Sequence, residues 1–412
     1  MKKKNFLYLG LILFAINIGN GNFSKLYSFL RQRIIISSTH QEKVNLCYPL
    51  QKKIENNISE YRSNISISIL NDYGDFIVDV NGNLPRIPAS NQKILSSAYS
   101  LDKLGPSYTL KTSIKKLSND SFYLEASGDP DFDEIHLVNL ISELKNKNIN
   151  KSDGKILLIL KDFHSSDFWP SSWSNSDRKE EYGAPISKYS ISSNSSLNAL
   201  NNPLINFIDK LEIALKRNNL SNKFIIKIVD KNYTINNIST VKTFYSAPLS
   251  ILLNLVNSES HNFTSEVIFR HSLNNWSHDF PNKKYTKWLN EQNINSSKFI
   301  FADASGLSRN NRVTTFGLSQ FLRRMKSNRF SEYYFSSFSI LGVRGSLSNI
   351  SIPSNIKGKV LAKSGTLTNV KSISGIIPSK NLFFSIIVNN MDNSLKNIIN
   401  ILSIIYNDKL CT

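Results

Sequence analysis

A chain of 412 residues, 40% of them hydrophobic, is ordinary for a globular protein and long enough for a large core and two domains. Its formal net charge of +19 admits nucleic acid, a membrane surface or an anionic polymer as a partner. Lys, Asn and Ile are abundant throughout rather than in one block, and no RNP, zinc-finger or helix-turn-helix pattern occurs, so nucleic-acid binding is set aside.

Met1-Lys2-Lys3-Lys4 is a basic lead, and Phe6 to Ile18 is an apolar stretch too short for a comfortable membrane span. Residues 1–22 read as an export signal. Ile18-Gly19-Asn20-Gly21 is a poor cleavage site, which leaves an uncleaved anchor open. Residues 23–42 form a loosely held tail. Over 43–58, Leu46, Leu50 and Ile54 recur at near-helical spacing. Ile65–Leu70 alternates as a strand, Asp72-Tyr73-Gly74-Asp75 turns the chain, and Phe76–Val80 pairs back. From Pro88 a buried helix is predicted through about Leu104-Gly105, with Ser90 and Lys93 in its first turn on one face.

From about Ser107 to Tyr245 the texture changes to short strands and polar loops. Strands are predicted at Ser121–Ala126, Lys155–Leu160 and Phe224–Val229, with one helix at Pro203–Lys216. This span reads as a domain inserted into another. Beyond it Pro248–Val256 reads as helix, Ser260 as a bend, Thr264–Arg270 as the start of a helix, Phe383–Val388 as a strand and Ser394–Ile405 as a closing helix. Cys47 and Cys411 are the only cysteines; in an exported chain they pair or remain two buried thiols, and their number and spacing decide neither. The histidines show no His-Glu-x-x-His spacing, and no metal or cofactor is implied.

Ser90 and Lys93 carry the chemistry. A serine hydroxyl is a poor nucleophile until a base takes its proton, and a desolvated lysine serves as that base. The spacing alone is weak, because Ser113-Ile114-Lys115-Lys116 repeats it in a stretch read as solvated. Ser-x-Asn at Ser260-His261-Asn262 is weak as well, since Ser192-Ser193-Asn194 and Ser196-Leu197-Asn198 match it. Taken singly, Ser260 reads as a helix cap, Asn262 as a turn residue and Lys363 as an exposed strand lysine. Lys363-Ser364-Gly365 occurs once, and Ser-x-x-Lys, Ser-x-Asn and Lys-[Ser/Thr]-Gly in that order form the set shared by penicillin-binding proteins and serine β-lactamases.

Further motifs make the resemblance specific. Gly128-Asp129-Pro130, Tyr182-Gly183-Ala184-Pro185-Ile186-Ser187, Asp303-Ala304-Ser305-Gly306-Leu307-Ser308-Arg309 and Gly345-Ser346-Leu347 fall between and around the three. Over roughly 60 to 405 the chain resembles the low-molecular-mass class C penicillin-binding proteins, the D-alanyl-D-alanine carboxypeptidase/endopeptidases of the peptidase S13 group. The resemblance implies an α+β fold. A serine β-lactamase/penicillin-binding-protein-like domain, an antiparallel sheet flanked by helices, would be built from 43–106 and 246–412, with a β-rich domain of 107–245 inserted between the first and second motifs.

The resemblance also implies roles. Ser90 is acylated by a terminal D-Ala-D-Ala peptide, Lys93 is the base, Ser260 relays a proton to the leaving D-alanine and Asn262 orients the substrate amide. Lys363 and Ser364 hold the terminal carboxylate. Gly365 completes that motif, and the N–H groups of Ser90 and Thr366 form the oxyanion hole. Asp177 and Arg309 are expected at the cleft edge, facing the ammonium and carboxylate of a diaminopimelate side chain. The family's fold brings the terminal segments together, so a Cys47–Cys411 disulfide is expected.

The implied partners are peptidoglycan peptides, with β-lactam antibiotics as covalent inhibitors, no nucleic acid, and membrane contact only through an uncleaved N-terminal anchor; the implied location is the periplasm or cell envelope. Two alternatives remain. A serine β-lactamase-like hydrolase would need a dedicated deacylating base, and no Glu precedes Leu197-Asn198 at the required place. Ser90 and Ser260 also stand too far apart in the chain for a compact lactamase. A catalytically silent wall-binding protein is opposed by the intact three motifs.

Overall fold

The computed structural model describes residues 46–117, 121–146, 155–161, 168–195, 199–236, 238–276, 282–392 and 394–411. The N-terminal segment 1–22, read as a signal or anchor, lies outside them, as does the Leu197-Asn198 pair. Helix α1 (Tyr48–Asn57) leads into a hairpin, β1 (Ile65–Leu70) and β2 (Phe76–Val80), turned at Gly74 with φ 95°. Helix α2 (Gln92–Leu104) follows. Next come β3 (Lys111–Lys116), β4 (Phe122–Glu125), α3 (Glu134–Ser142), β5 (Ile156–Lys161), α4 (Pro203–Arg217), β6 (Phe224–Val229) and β7 (Ser239–Tyr245). The chain then runs through α5 (Leu249–Asn257), α6 (Asn262–Leu273), α7 (Asn282–Glu291), α8 (Thr315–Lys326), α9 (Ser331–Ser336), β8 (Ser339–Ile340), β9 (Leu361–Leu367), β10 (Val370–Ile377), β11 (Leu382–Asn389) and α10 (Leu395–Asn407).

The first sheet is antiparallel, ordered β2-β1-β11-β10-β9-β8. Strand β11 is buried along its whole length and reads as an apolar run, and period-two alternation divides its side chains between two cores. Phe384, Ile386 and Val388 of β11 join Ile65, Ile67 and Ile69 against α1 and α10, packing with Leu50, Ile54, Ile398 and Leu402. Phe383 and Ile387 face the opposite way, into a core with Ile94, Leu95 and Ala98 of α2, Leu252 of α5, Val267 of α6 and Phe321 of α8. Fully burying side chains of this size contributes about 1.5–3 kcal/mol each.

The second sheet, ordered β6-β5-β4-β3-β7, takes all its strands from Lys111–Tyr245. Its β4-β5-β6 portion is parallel, so each step needs a crossover, and α3 and α4 supply them. The sequence reading found α4 but not α3. That helix is short, and its apolar residues Ile135, Leu137, Val138, Leu140 and Ile141 blur the helical period; the side chain of Asp133 caps it by accepting from His136 N at 2.8 Å. Both helices bury an apolar stripe on the sheet, through Leu137 and Leu140 of α3 and Phe207 and Leu211 of α4. Cys47 and Cys411 are joined in a disulfide, Cα atoms 5.2 Å apart, which ties the N-terminus of α1 to the segment after α10.

Candidate active site

The serine predicted inside a helix sits just before it. Ala89–Asn91 is a 3₁₀ turn, and α2 starts at Gln92. Ala89 is fully buried with φ 48°, a left-handed conformation that an alanine adopts at a cost of about 1 kcal/mol or more, and its neighbours hold it there. Gly306 is one of them: a Cβ on it would lie 1.9 Å from the Ala89 carbonyl oxygen, and its own φ is 82°. On the other side Ser372 Oγ donates to the Pro88 carbonyl at 2.7 Å, and the buried Asn91 amide lies 2.6 Å from Ser374 Oγ. The turn is thus clamped between the 303–309 loop and strands β9 and β10.

Lys93, in the first turn of α2, is fully buried. Its Nζ donates to Ser90 Oγ at 3.0 Å, to Asn262 Oδ1 at 2.6 Å and to the Ser305 carbonyl at 2.6 Å. Burial pulls its amine down to about 7, against the opposing pull of the Asp303 and Glu266 carboxylates. An amine with that value is part neutral at neutral pH, so it accepts a proton there, whereas an ordinary lysine does not.

Asn262 opens α6 and also donates from Nδ2 to the Tyr182 carbonyl at 2.9 Å. Ser260 occupies the bend before it, with φ 65°. His261, between them, is pushed down to about 4 by burial and then by the Lys93 charge, which makes it neutral over the working range. Its Nδ1 lies 2.7 Å from Thr264 Oγ1.

Strand β9 carries the third motif. Lys363 is fully buried; its Nζ donates to the Ser364 carbonyl at 2.7 Å rather than standing exposed on the strand. Burial, then repulsion from Lys93, holds it well below the usual lysine value, with Glu259 opposing. The Ser364 and Ser346 hydroxyls are 2.7 Å apart, which brings the 345–347 turn against the motif. Gly365 faces the serine turn.

A cleft of about 620 Å³ opens over this arrangement. Ser90, Ser260, Asn262 and Thr366 line it together with Gly306, Leu307 and Arg309 on one side and Ser172, Ser174, Ser176, Asp177 and Tyr182 on the other. Of the residues singled out in the sequence, Ser90, Lys93, Asn262 and Gly365 meet at the floor, and Asp177 and Arg309 stand at the edge. Asp177 accepts from Ser174 Oγ at 2.6 Å and from the Tyr182 hydroxyl at 3.2 Å. Arg309 donates to the Thr368 carbonyl at 2.7 Å.

Two carboxylates lie beneath the floor: Asp303, which the sequence showed only as the first residue of a motif and without a role, and Glu266, which went unnoticed. Asp303 accepts from Gly306 N at 2.7 Å, Ser308 N at 2.6 Å and Trp173 Nε1 at 2.8 Å. Glu266 accepts from Ala304 N at 2.9 Å and Ser305 N at 2.8 Å. The one signal for Glu266 was its place one helical turn after Asn262.

An antiparallel sheet flanked by helices, with a serine turn seated against β9, places the fold among the penicillin-binding proteins. It is similar to the structure of penicillin binding protein 4 from Haemophilus influenzae, with a TM-score of 0.73 at 18% identity over 86% of this chain and 98% of that one. It is also similar to a predatory peptidoglycan endopeptidase from Bdellovibrio bacteriovorus, with a TM-score of 0.54 at 20% identity over 84% of this chain and 94% of that one. The model of the D-Ala-D-Ala carboxypeptidase 3 (S13) family matches residues 50–204 and 195–406, and the chain belongs to that family. Penicillin-sensitive carboxypeptidase A of Dictyostelium discoideum is 33% identical over 119 residues, which is 26% of this chain and 23% of that relative's own length.

Proposed function

We propose that this protein is a serine D-Ala-D-Ala carboxypeptidase that also acts as a DD-endopeptidase on peptidoglycan stem peptides, through an acyl-enzyme on Ser90. The observation that carries the reading is the contact of Ser90 Oγ with the buried amine of Lys93 at the floor of the cleft. Neutral Lys93 takes the serine proton, and Ser90 attacks the carbonyl of the D-Ala-D-Ala bond. The N–H groups of Ser90 and Thr366 receive the developing oxyanion. Ser260 passes a proton to the leaving D-alanine, Asn262 orients the substrate amide, and water then releases the acyl group.

Lys363 and Ser364 hold the terminal carboxylate of the substrate, whose negative charge favours the protonated form of the buried Lys363 amine. The 107–245 span acts as an inserted domain that overhangs the cleft with Asp177, while Arg309 faces it; together they select the diaminopimelate side chain. A Cys47–Cys411 disulfide fits an exported, cell-envelope protein. Among the described residues no helix is long and apolar enough to cross a membrane. Labelled penicillin followed by peptide mapping tests the reading: label on the peptide that holds Ser90 supports it, and label on another serine, or none, removes it.

A further inference from the structure

Lys93 has three hydrogen-bonding directions, and the structure fills each with a different kind of group. One points at Ser90 Oγ. The other two are taken by Asn262 Oδ1 and the Ser305 carbonyl, neither of which reacts. A neutral amine that donates its two N–H bonds to those acceptors must aim its lone pair along the remaining direction, at the serine hydroxyl. Base catalysis therefore depends on two fixed acceptors, and Ser305 lies in a loop with no regular secondary structure of its own.

The loop is held from beneath. Glu266 is on α6, the helix that presents Asn262, and one oxygen of its carboxylate accepts from both the Ala304 and the Ser305 amides. The Ala304 carbonyl accepts from Ser96 Oγ of α2 at 2.6 Å and from Ser265 Oγ of α6 at 3.0 Å. Helix α6 thus sets both unreactive acceptors, Asn262 directly and Ser305 through Glu266. A carboxylate at such depth is retained against a substantial desolvation cost, and pinning a peptide plane is what its position accomplishes.

We propose that Glu266 is a positioning residue for the acylation step: it locks the Ser305 peptide so that the Ser305 carbonyl and Asn262 Oδ1 together aim the Lys93 lone pair at Ser90. This rests on the acyl-enzyme reading given above. Other charged groups face the same amine. Asp303 approaches from the loop, Lys363 from β9 and neutral His261 from the segment before α6, while Arg270, one turn further along α6, faces Glu266 itself. Burial, then the Asp303 charge, raises the Glu266 carboxyl to about 7, so its ionisation overlaps that of Lys93. Where ionised it raises the proton affinity of Lys93, and removing its charge without its acceptor oxygen separates positioning from electrostatics.

The experiment is stopped-flow acylation by a penicillin, followed across pH for wild type, Glu266→Gln and Glu266→Ala, with thermal unfolding of each. Gln keeps an acceptor oxygen for both amides and loses the charge. It is expected to acylate within about threefold of wild type at the alkaline plateau, with its acid limb moved to lower pH. Ala loses the clamp and is expected to acylate at least tenfold more slowly at every pH, with unchanged affinity for the non-covalent penicillin complex. If folded Glu266→Ala acylates at the wild-type rate, or if Gln and Ala lose rate equally with no movement of the acid limb, the positioning role is overturned. Wild-type protein that takes no penicillin on Ser90 overturns the acyl-enzyme reading instead, so the two failures are distinguishable.

Discussion

Gly365 of β9 lies against the turn that carries Ser90: a Cβ on it would sit 2.9 Å from the Ser90 nitrogen, 2.9 Å from the Pro88 carbonyl oxygen and 2.3 Å from Ser372 Oγ. Only a residue without a side chain lets strand and turn approach so closely, and Ser90 and Thr366, whose amides form the proposed oxyanion hole, line the cleft beside it. Gly365→Ala is therefore expected to force the turn off the strand. Overpacking of this kind costs about 1–3 kcal/mol of stability. Penicillin acylation should fall further than unfolding accounts for, because both amides move. Thermal unfolding measured beside the acylation rate checks this, and a variant with normal acylation would show that the two amides tolerate separation.

Ser90→Ala is expected to abolish covalent labelling by penicillin and to lower peptidase activity by about three or more decades, as for other activated serine nucleophiles. Lys93→Ala should leave a folded, nearly inert protein. Full acylation by Lys93→Ala would remove Lys93 as the base.

The pH dependence follows from Lys93. Its amine, pulled down to about 7 by burial, is protonated and unable to act as base below that value, and neutral above it. The acylation rate should rise with pH and level off after passing about 7. A rate that is flat from pH 5 to 9, or that falls as pH rises through 7, contradicts this assignment.

The disulfide closes almost the whole described chain into one loop, since Cys47 and Cys411 are 364 positions apart. Closing a long loop lowers the entropy of the unfolded chain, and a contribution of about 2–4 kcal/mol is expected. Cys47→Ala/Cys411→Ala should unfold at lower denaturant concentration with little change in acylation rate. Two thiols titrating in denatured, unreduced protein would exclude the bond.

Asp177 and Arg309 at the cleft edge offer one charge of each sign. Asp177→Ala and Arg309→Ala are expected to lower kcat/KM for diaminopimelate-containing peptides by about 1–3 kcal/mol of transition-state binding. Simple acylated D-Ala-D-Ala peptides should lose less. Parallel loss on both substrates would make the two residues supports of the cleft wall rather than selectors.

Much of this was written locally. The alternation in Ile65–Leu70 and the apolar run Phe383–Val388 marked strands of the first sheet, and Pro203–Lys216 was read as the helix that is α4, because a strand or helix periodicity is a property of neighbouring residues. The three motifs and their order pointed to the proposed nucleophile and base for the same reason: each is a short local pattern. What the sequence left open depended on approaches between distant segments. Lys93 meets Asn262 across 169 positions and Ser305 across 212, and no local spacing encodes either contact. The left-handed Ala89 and the Glu266 clamp likewise arise only once the 303–309 loop, α6 and β9 pack around the turn, and the crossover through α3 only once that helix packs on the second sheet with α4. The sequence determined which groups are proposed to do the chemistry. The tertiary structure decided their distances, burial and protonation, because these depend on what surrounds a side chain and not on what precedes it.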